Sequence, residues 1–368
     1  MTFNVESMGL PDEIGAEIQR LQATYDFYKL SEKGQNGYLF IAHNRVIGRK
    51  VAIKFYYWAD GIRGHIEPKS LASVGSQSVI DVLDAALVGD EWAMFVTPFC
   101  QHGDLDRFRE KHRFGLREAL NFTSLLLDGV AALHQKGFVH RDLKPENLLV
   151  SDDGAPLIAD FGSVRIVPEG QSHVAGSGHA VLYRPPESFV SGRYDRRGDL
   201  YQCGMVLFQL VGGRLPYAYH EYLSASERQA YSSLLDDFDR FKLVETAIKN
   251  KACGGTLLDI ASLPFFAPQN VKRIIRRASN ANPDKRFQNA SDFMNQLNAL
   301  TNRVVDWRFD NGTPIAVSSN SRYRIVGAGS QFVVEQDKGN GWRKIPGLKP
   351  DSRAKQLKAI ATRALPNH

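Results

Sequence analysis

Asp142, Lys144 and Asn147 stand in one short run, His140-Arg141-Asp142-Leu143-Lys144-Pro145-Glu146-Asn147-Leu148-Leu149. A carboxylate can accept the proton of an attacking hydroxyl. An ammonium group two residues on can reach a transferring phosphoryl group. A carboxamide five residues after the carboxylate can hold a metal ion on phosphates. A lone His-Arg-Asp is a common surface tripeptide, and a charged turn beside a core strand would explain it. Three such groups in one window point to chemistry instead. Leu148-Leu149-Val150 behind them reads as a short buried strand.

The residues around this run must position it. Lys33-Gly34-Gln35-Asn36-Gly37-Tyr38-Leu39 lies between apolar alternations, and glycine is needed where backbone approaches phosphate oxygens. A plain hairpin turn explains this stretch equally well. Val51-Ala52-Ile53-Lys54 reads as a strand with Ala52 and Lys54 on one face. Further strands are expected over Val79–Val88 and Trp92–Phe95. A helix is expected over Leu116–His134, with Lys136-Gly137 as its stop. Asp160-Phe161-Gly162 follows a strand over Pro156–Ala159, thirteen residues after Asn147. Near the start, Ile14, Ile18 and Leu21 give one apolar face to a short helix opened by Pro11. That helix is expected to pack on the domain C-terminal to it.

Taken in order, these motifs resemble the bacterial type of eukaryotic-like serine/threonine protein kinases, over roughly residues 25–298. The resemblance implies an α+β, two-lobed fold: a β-rich lobe over 25–97, a hinge over 97–104 and a helical lobe over 105–300. ATP and Mg2+ would lie between the lobes. Asp142 would be the catalytic base, with Lys144 at the phosphoryl group. Asn147 and Asp160 would hold the metal, and Lys54, paired with Glu67, would hold the α- and β-phosphates. Gly34, Gly37 and Leu39 would cover the nucleotide. Ala52, Thr97, Pro98, Cys100 and Leu149 would enclose the adenine, and Asp104 would reach the ribose. Asp199 would anchor the catalytic loop, Leu71 would pack on Phe161, and Glu187 would pair with Arg286.

Three positions depart from the family pattern. Glu32 replaces the first loop glycine, Pro68 follows Glu67, and Ala180 stands where a threonine is common. These would permit a weakly active, kinase-like scaffold, whereas the presence of Lys54, Asp142, Asn147 and Asp160 argues for catalysis. Lys144 argues for a protein substrate with Ser or Thr rather than a small molecule. Arg141 beside Asp142 suggests switching by phosphorylation at Ser163, Ser172 or Ser177, which self-association would permit in trans.

Composition narrows the class. The chain has 368 residues, 43% hydrophobic and 23% charged, as in ordinary globular proteins. Cys100, Cys203 and Cys253 lie far apart, with neither metal nor disulfide spacing. No apolar run reaches the ~18–20 residues that span a bilayer, and the start lacks a signal-peptide pattern. A cytosolic protein without a membrane partner is expected. From Thr301 onward there are twelve Lys and Arg against five Asp and Glu, so the net +6 resides there. Short strands around Ile315–Val317, Tyr323–Val326, Phe332–Glu335 and Trp342–Ile345, then a helix over Asp351–Leu365, suggest a small basic accessory module over 301–368. Its Trp342, Arg343 and Lys344 could meet nucleic acid. A regulatory or partner-binding module is the plainer reading.

Overall fold

Ile14, Ile18 and Leu21 are buried along one face of helix α1 (Asp12–Leu21), which packs on the neighbouring sheet. The computed structural model describes residues 8–34, 37–57, 69, 72–176 and 181–365. Asp12 and Glu13 fall in the first turn of α1, where the helix dipole favours negative charge. Glu13 Oε1 also accepts a hydrogen bond from the Asp90 N–H, at 3.1 Å, and so pins the helix to the adjacent turn.

The first lobe is an antiparallel sheet in the order β1-β2-β3-β5-β4. Its strands are β1 (Tyr25–Gly34), β2 (Gly37–Asn44), β3 (Arg49–Tyr57), β4 (Asp84–Val88) and β5 (Trp92–Pro98). In β3 the residues Val51, Ile53 and Phe55 are buried against α1's side of the core, while Ala52 and Lys54 face the other way. The β1–β2 pairing has two register shifts, which bend and twist the hairpin.

One expectation is corrected here. Val79–Val88 is not a single strand. Val79 forms an isolated parallel bridge to Ile158 and the Ile80 N–H donates to the Ile158 carbonyl, so only Asp84–Val88 joins the sheet. The first part of the stretch is drawn away to the second lobe.

The second lobe is helical. Helices α2 (Leu105–Lys111) and α3 (Leu116–Gln135) are followed by the short strands β6 (Phe138–Val139), β7 (Leu148–Val150), β8 (Pro156–Ile158), β9 (Arg165–Ile166) and β10 (Val174–Ala175). Then come α4 (Pro186–Ser191), β11 (Arg193–Tyr194) and α5 (Arg196–Leu210). Thirteen of the fifteen residues of α5 are buried, so α5 is the axis of this lobe. Helices α6 (Ala225–Ser233), α7 (Asp237–Cys253), α8 (Gln269–Ala278) and α9 (Ala290–Thr301) complete it.

The C-terminal residues form an antiparallel meander, β12 (Asp306–Asp310), β13 (Thr313–Ser318), β14 (Ser321–Ala328), β15 (Gln331–Asp337) and β16 (Arg343–Lys344), covered by α10 (Arg353–Ala364). The strand β12 was not anticipated. Its Trp307 is buried in the core of the helical lobe, together with Ala316, Tyr323, Val334 and Ile360 from the rest of the module. No helix among the described residues is long and apolar enough to cross a membrane.

Candidate active site

Two hydrogen bonds define the run from Asp142 to Asn147. Asn147 Nδ2 donates to the Asp142 carbonyl (2.7 Å) and to Asp142 Oδ2 (2.9 Å). Lys144 Nζ stands 3.1 Å from the same Oδ2. Asp142 is 5% exposed, and its other oxygen, Oδ1, is buried with no hydrogen-bond partner. A buried carboxylate oxygen without a donor is costly unless a ligand supplies one.

The main chain around Asp142 is held from α5. Asp199 Oδ2 accepts from the His140 N–H (3.0 Å) and lies 2.8 Å from His134 Nε2. Asp199 Oδ1 accepts from the Arg141 N–H (2.9 Å) and the Tyr194 hydroxyl (2.8 Å). Burial alone would raise the Asp199 carboxyl. The hydrogen bond and charge of His134, with His140 and the Arg141 N–H, outweigh it and hold the group below its ordinary value. Arg141 has φ +70°, a left-handed conformation that a non-glycine residue keeps only when its surroundings fix it.

Above this floor the lobes enclose a cleft of about 1230 Å³. Gly37, Leu39, Ala52 and Lys54 line its upper wall, Thr97, Pro98 and Cys100 its back, and Asp104, Lys144, Asn147, Leu149 and Asp160 its lower side. Lys54 Nζ lies 3.8 Å from Asp160 Oδ1. Asp160 has φ +56° and accepts from the Gly162 N–H, while Phe161 is buried edge-on against His140. Burial pushes the Cys100 thiol up to about 11. Asp104 caps α2 by accepting from the Arg107 N–H (2.9 Å), so part of its carboxylate is already committed.

Gly34 pairs with Gly37 across the hairpin turn. Glu67, Pro68, Leu71, Ser177 and Ala180 lie outside the described residues, as does the side chain of Glu32. The sequence reading overlooked Phe95, Ile80, Asp106 and Glu146, all of which line the cleft. Phe95 stands two residues before Thr97 on one strand, so alternation carries its signal. Ile80 arrives through its bond to Ile158, which has no local signal. Burial raises the carboxyls of both Asp106 and Glu146, and for Asp106 the Tyr217 hydroxyl partly offsets it.

Residues 28–297 match the protein kinase domain. The chain belongs to the protein kinase family. It is 32% identical over 198 residues to the serine/threonine-protein kinase pkn2 of Myxococcus xanthus, covering 50% of this chain and 24% of that protein. It is 29% identical over 238 residues to the DNA damage-responsive serine/threonine-protein kinase RqkA of Deinococcus radiodurans, covering 62% and 36%. It is 40% identical over 122 residues to the serine/threonine-protein kinase PknL of Mycobacterium tuberculosis, covering 32% and 29%. The chain thus spans between 24% and 36% of the length of these relatives.

Within this kinase fold the Glu187–Arg286 pair forms as expected: Nη1 and Nη2 of Arg286 donate to the two carboxylate oxygens at 2.8 and 2.7 Å. The kinase cleft also suits a magnesium nucleotide. Asn147 commits its Nδ2 to Asp142, which leaves Oδ1 for a cation, and Asp160 adds a carboxylate. One or two such oxygen ligands, completed by phosphate and water, fit Mg2+ better than a dedicated protein cage.

Proposed function

We propose that this chain transfers the γ-phosphoryl group of ATP to Ser or Thr hydroxyls of proteins. The observation that carries the reading is Asp142. One carboxylate oxygen is fastened by Asn147 and Lys144, and the other is buried without a partner, poised to accept a hydroxyl hydrogen. Lys144 adds positive charge beside that oxygen, where negative charge gathers on the transferring group. Lys54 orients the α- and β-phosphates, and Gly34 and Gly37 let the hairpin backbone cover them. Asn147 and Asp160 hold Mg2+, which neutralises phosphate charge when bound. Ala52, Leu39 and Leu149 sandwich the adenine beneath the Thr97–Cys100 segment.

The chain also phosphorylates itself in this reading, through transient self-association. Ser172 is exposed, whereas Ser163 is buried, so Ser172 is the better acceptor. Arg141 and Arg165 are close enough that the second disfavours the charge of the first, after burial, and a phosphate would relieve both. Residues 301–368 serve regulation or partner binding. Arg308, Arg322 and Arg324 pair with Asp306, Asp310, Asp337 and Glu335, and Trp342 lies under Arg322 and Arg324, so this part of the basic surface is engaged within the module, while Arg343 and Lys344 are exposed. The cytoplasm, with its ATP and reduced thiols, suits three free cysteines.

The test is phosphate transfer from labelled ATP with magnesium, followed by intact mass and site mapping. Wild type should label itself and a generic protein on Ser or Thr. Asp142→Asn and Lys54→Ala should lose about 10²–10⁴-fold in rate. A wild-type chain that binds nucleotide yet labels neither itself nor any protein would overturn the reading.

A further inference from the structure

Gln202 lies in α5 one turn after Asp199 and is 1% exposed. A carboxamide in so dry a place must satisfy every donor and acceptor it carries. It does so on the catalytic run. Its Oε1 accepts from the Leu143 N–H at 2.9 Å. Its Nε2 donates to the Arg141 carbonyl and to the Tyr183 carbonyl, each at 3.3 Å. The orientation of the amide is forced, because Leu143 offers only a donor and the two carbonyls only acceptors. The Tyr194 hydroxyl lies 3.0 Å from Oε1 and 2.8 Å from Asp199 Oδ1, with a single proton to share between them.

Asp199 therefore holds the main chain before Asp142, and Gln202 holds it on both sides, at Arg141 and Leu143. Neither residue touches the reacting groups. Asp142 has two main-chain neighbours, one of them in a left-handed conformation, and both are tied to one face of one buried helix. The same carboxamide is bonded to Tyr183, at the end of the segment over 163–184. A shift of the Tyr183 carbonyl must pull on the atoms that flank Asp142, whereas the Tyr183 hydroxyl, at the far end of the ring, is held separately by Gln209.

We propose that Gln202 is a positioning residue, whose carboxamide fixes the main chain on both sides of Asp142 and couples it to the end of the 163–184 segment. The inference rests on the kinase reading for its rate consequence, but its structural half does not. Gln202→Met keeps the volume and removes every hydrogen bond. Gln209→Met is the control: that carboxamide lies two turns on in the same helix, is also buried, and bonds the Tyr183 and Tyr217 hydroxyls rather than the catalytic run.

Two readouts separate the outcomes, on the full chain. In amide hydrogen exchange, Gln202→Met should speed exchange in peptides covering 140–145 and 181–184, with β1–β5 and α8 unchanged, and Gln209→Met should leave 140–145 as in wild type. In phosphate transfer, Gln202→Met should lower kcat by about tenfold or more while the Kd for magnesium-ADP stays within about twofold, since small misplacement of a reacting group costs rate rather than ground-state affinity. Gln209→Met should keep kcat. Unchanged exchange at 140–145 in Gln202→Met overturns the proposal, as does an equal loss of kcat in both variants. If Gln202→Met shows the exchange difference but the wild type shows no transfer, the brace stands and the kinase reading falls instead. Gln202→Asn, one methylene shorter, serves in place of Met if Gln202→Met fails to fold, with the same outcomes expected.

Discussion

Trp307 stacks on Phe266 with ring centroids 5.1 Å apart and planes 20° apart, so the C-terminal sheet and the helical lobe share one core. Phe265 meets the same indole edge-on at 5.9 Å, and Arg353 from α10 lies 4.9 Å over the Phe265 ring. Arg117 donates twice to the Val304 carbonyl, and a Cβ on Gly115 would come within 2.4 Å of the Trp307 carbonyl. Trp307 is 2% exposed. Trp307→Ala should therefore cost about 3–5 kcal/mol. Urea unfolding followed by circular dichroism should show the helical lobe and the C-terminal sheet melting together. A separate early transition for the sheet would show that the stacking does not join them.

The depressed carboxyl of Asp199 makes a pH prediction. The folded value lies below the ordinary 3.8, so the unfolded chain binds a proton at higher pH than the folded one. The stabilisation is fully present above the unfolded carboxylate range, about 3.9, and is lost as pH falls through the folded value. Asp199→Asn should be less stable than wild type at neutral pH, and the gap should narrow as pH falls below about 4. Parallel stability curves between pH 3 and 7 would mean that Asp199 is not a paired carboxylate in the folded protein.

The arrangement of the Asp142–Asn147 run was legible because its contacts are local. Asp142, Lys144 and Asn147 sit in one turn, so their spacing already fixes which groups meet, and the three side chains are indeed bonded together. Lys54 and Asp160 were found by strand alternation and motif order, and they face one cleft. What escaped was long-range. Nothing in Val79–Val88 says that Val79 will pair with Ile158 rather than continue the sheet. Likewise β12 has five residues, and its meaning lies in Phe265 and Phe266, some forty residues earlier. Gln202 carried a readable signal, a carboxamide beside the apolar run Cys203–Val211, because a polar group buried in such a helix needs partners. Which partners it finds depends on the packing of α5 under the catalytic run.

Cys100 should be a poor nucleophile although it lines the cleft. Only thiolate reacts, and burial pushes this thiol up to about 11, so at pH 7.5 well under one part in a hundred is ionised. Iodoacetamide at pH 7.5 should leave Cys100 unmodified over minutes, while the partly exposed Cys253 reacts first. Peptide mapping of the alkylated protein reads both sites. Rapid labelling of Cys100 would place its thiol in a wetter or more positive setting than the one described.

Gly37 and Gly48 both have positive φ, +127° and +65°, but only one of them is crowded. A Cβ on Gly37 would lie 1.9 Å from the Phe55 carbonyl oxygen, whereas nothing comes within 4 Å of one on Gly48. Phe55 is paired with Tyr38 in the same sheet, so the carbonyl cannot retreat without loosening β2 from β3. Gly48→Ala should bear only the backbone cost of a left-handed residue, about 1–2 kcal/mol. Gly37→Ala adds the clash and should shift the hairpin proposed to cover the nucleotide, so KM for ATP should rise several-fold in this variant alone. Thermal unfolding and ATP titration of the two variants decide the matter. Equal effects on ATP would mean that the close approach of Gly37 to Phe55 has no part in shaping the cleft.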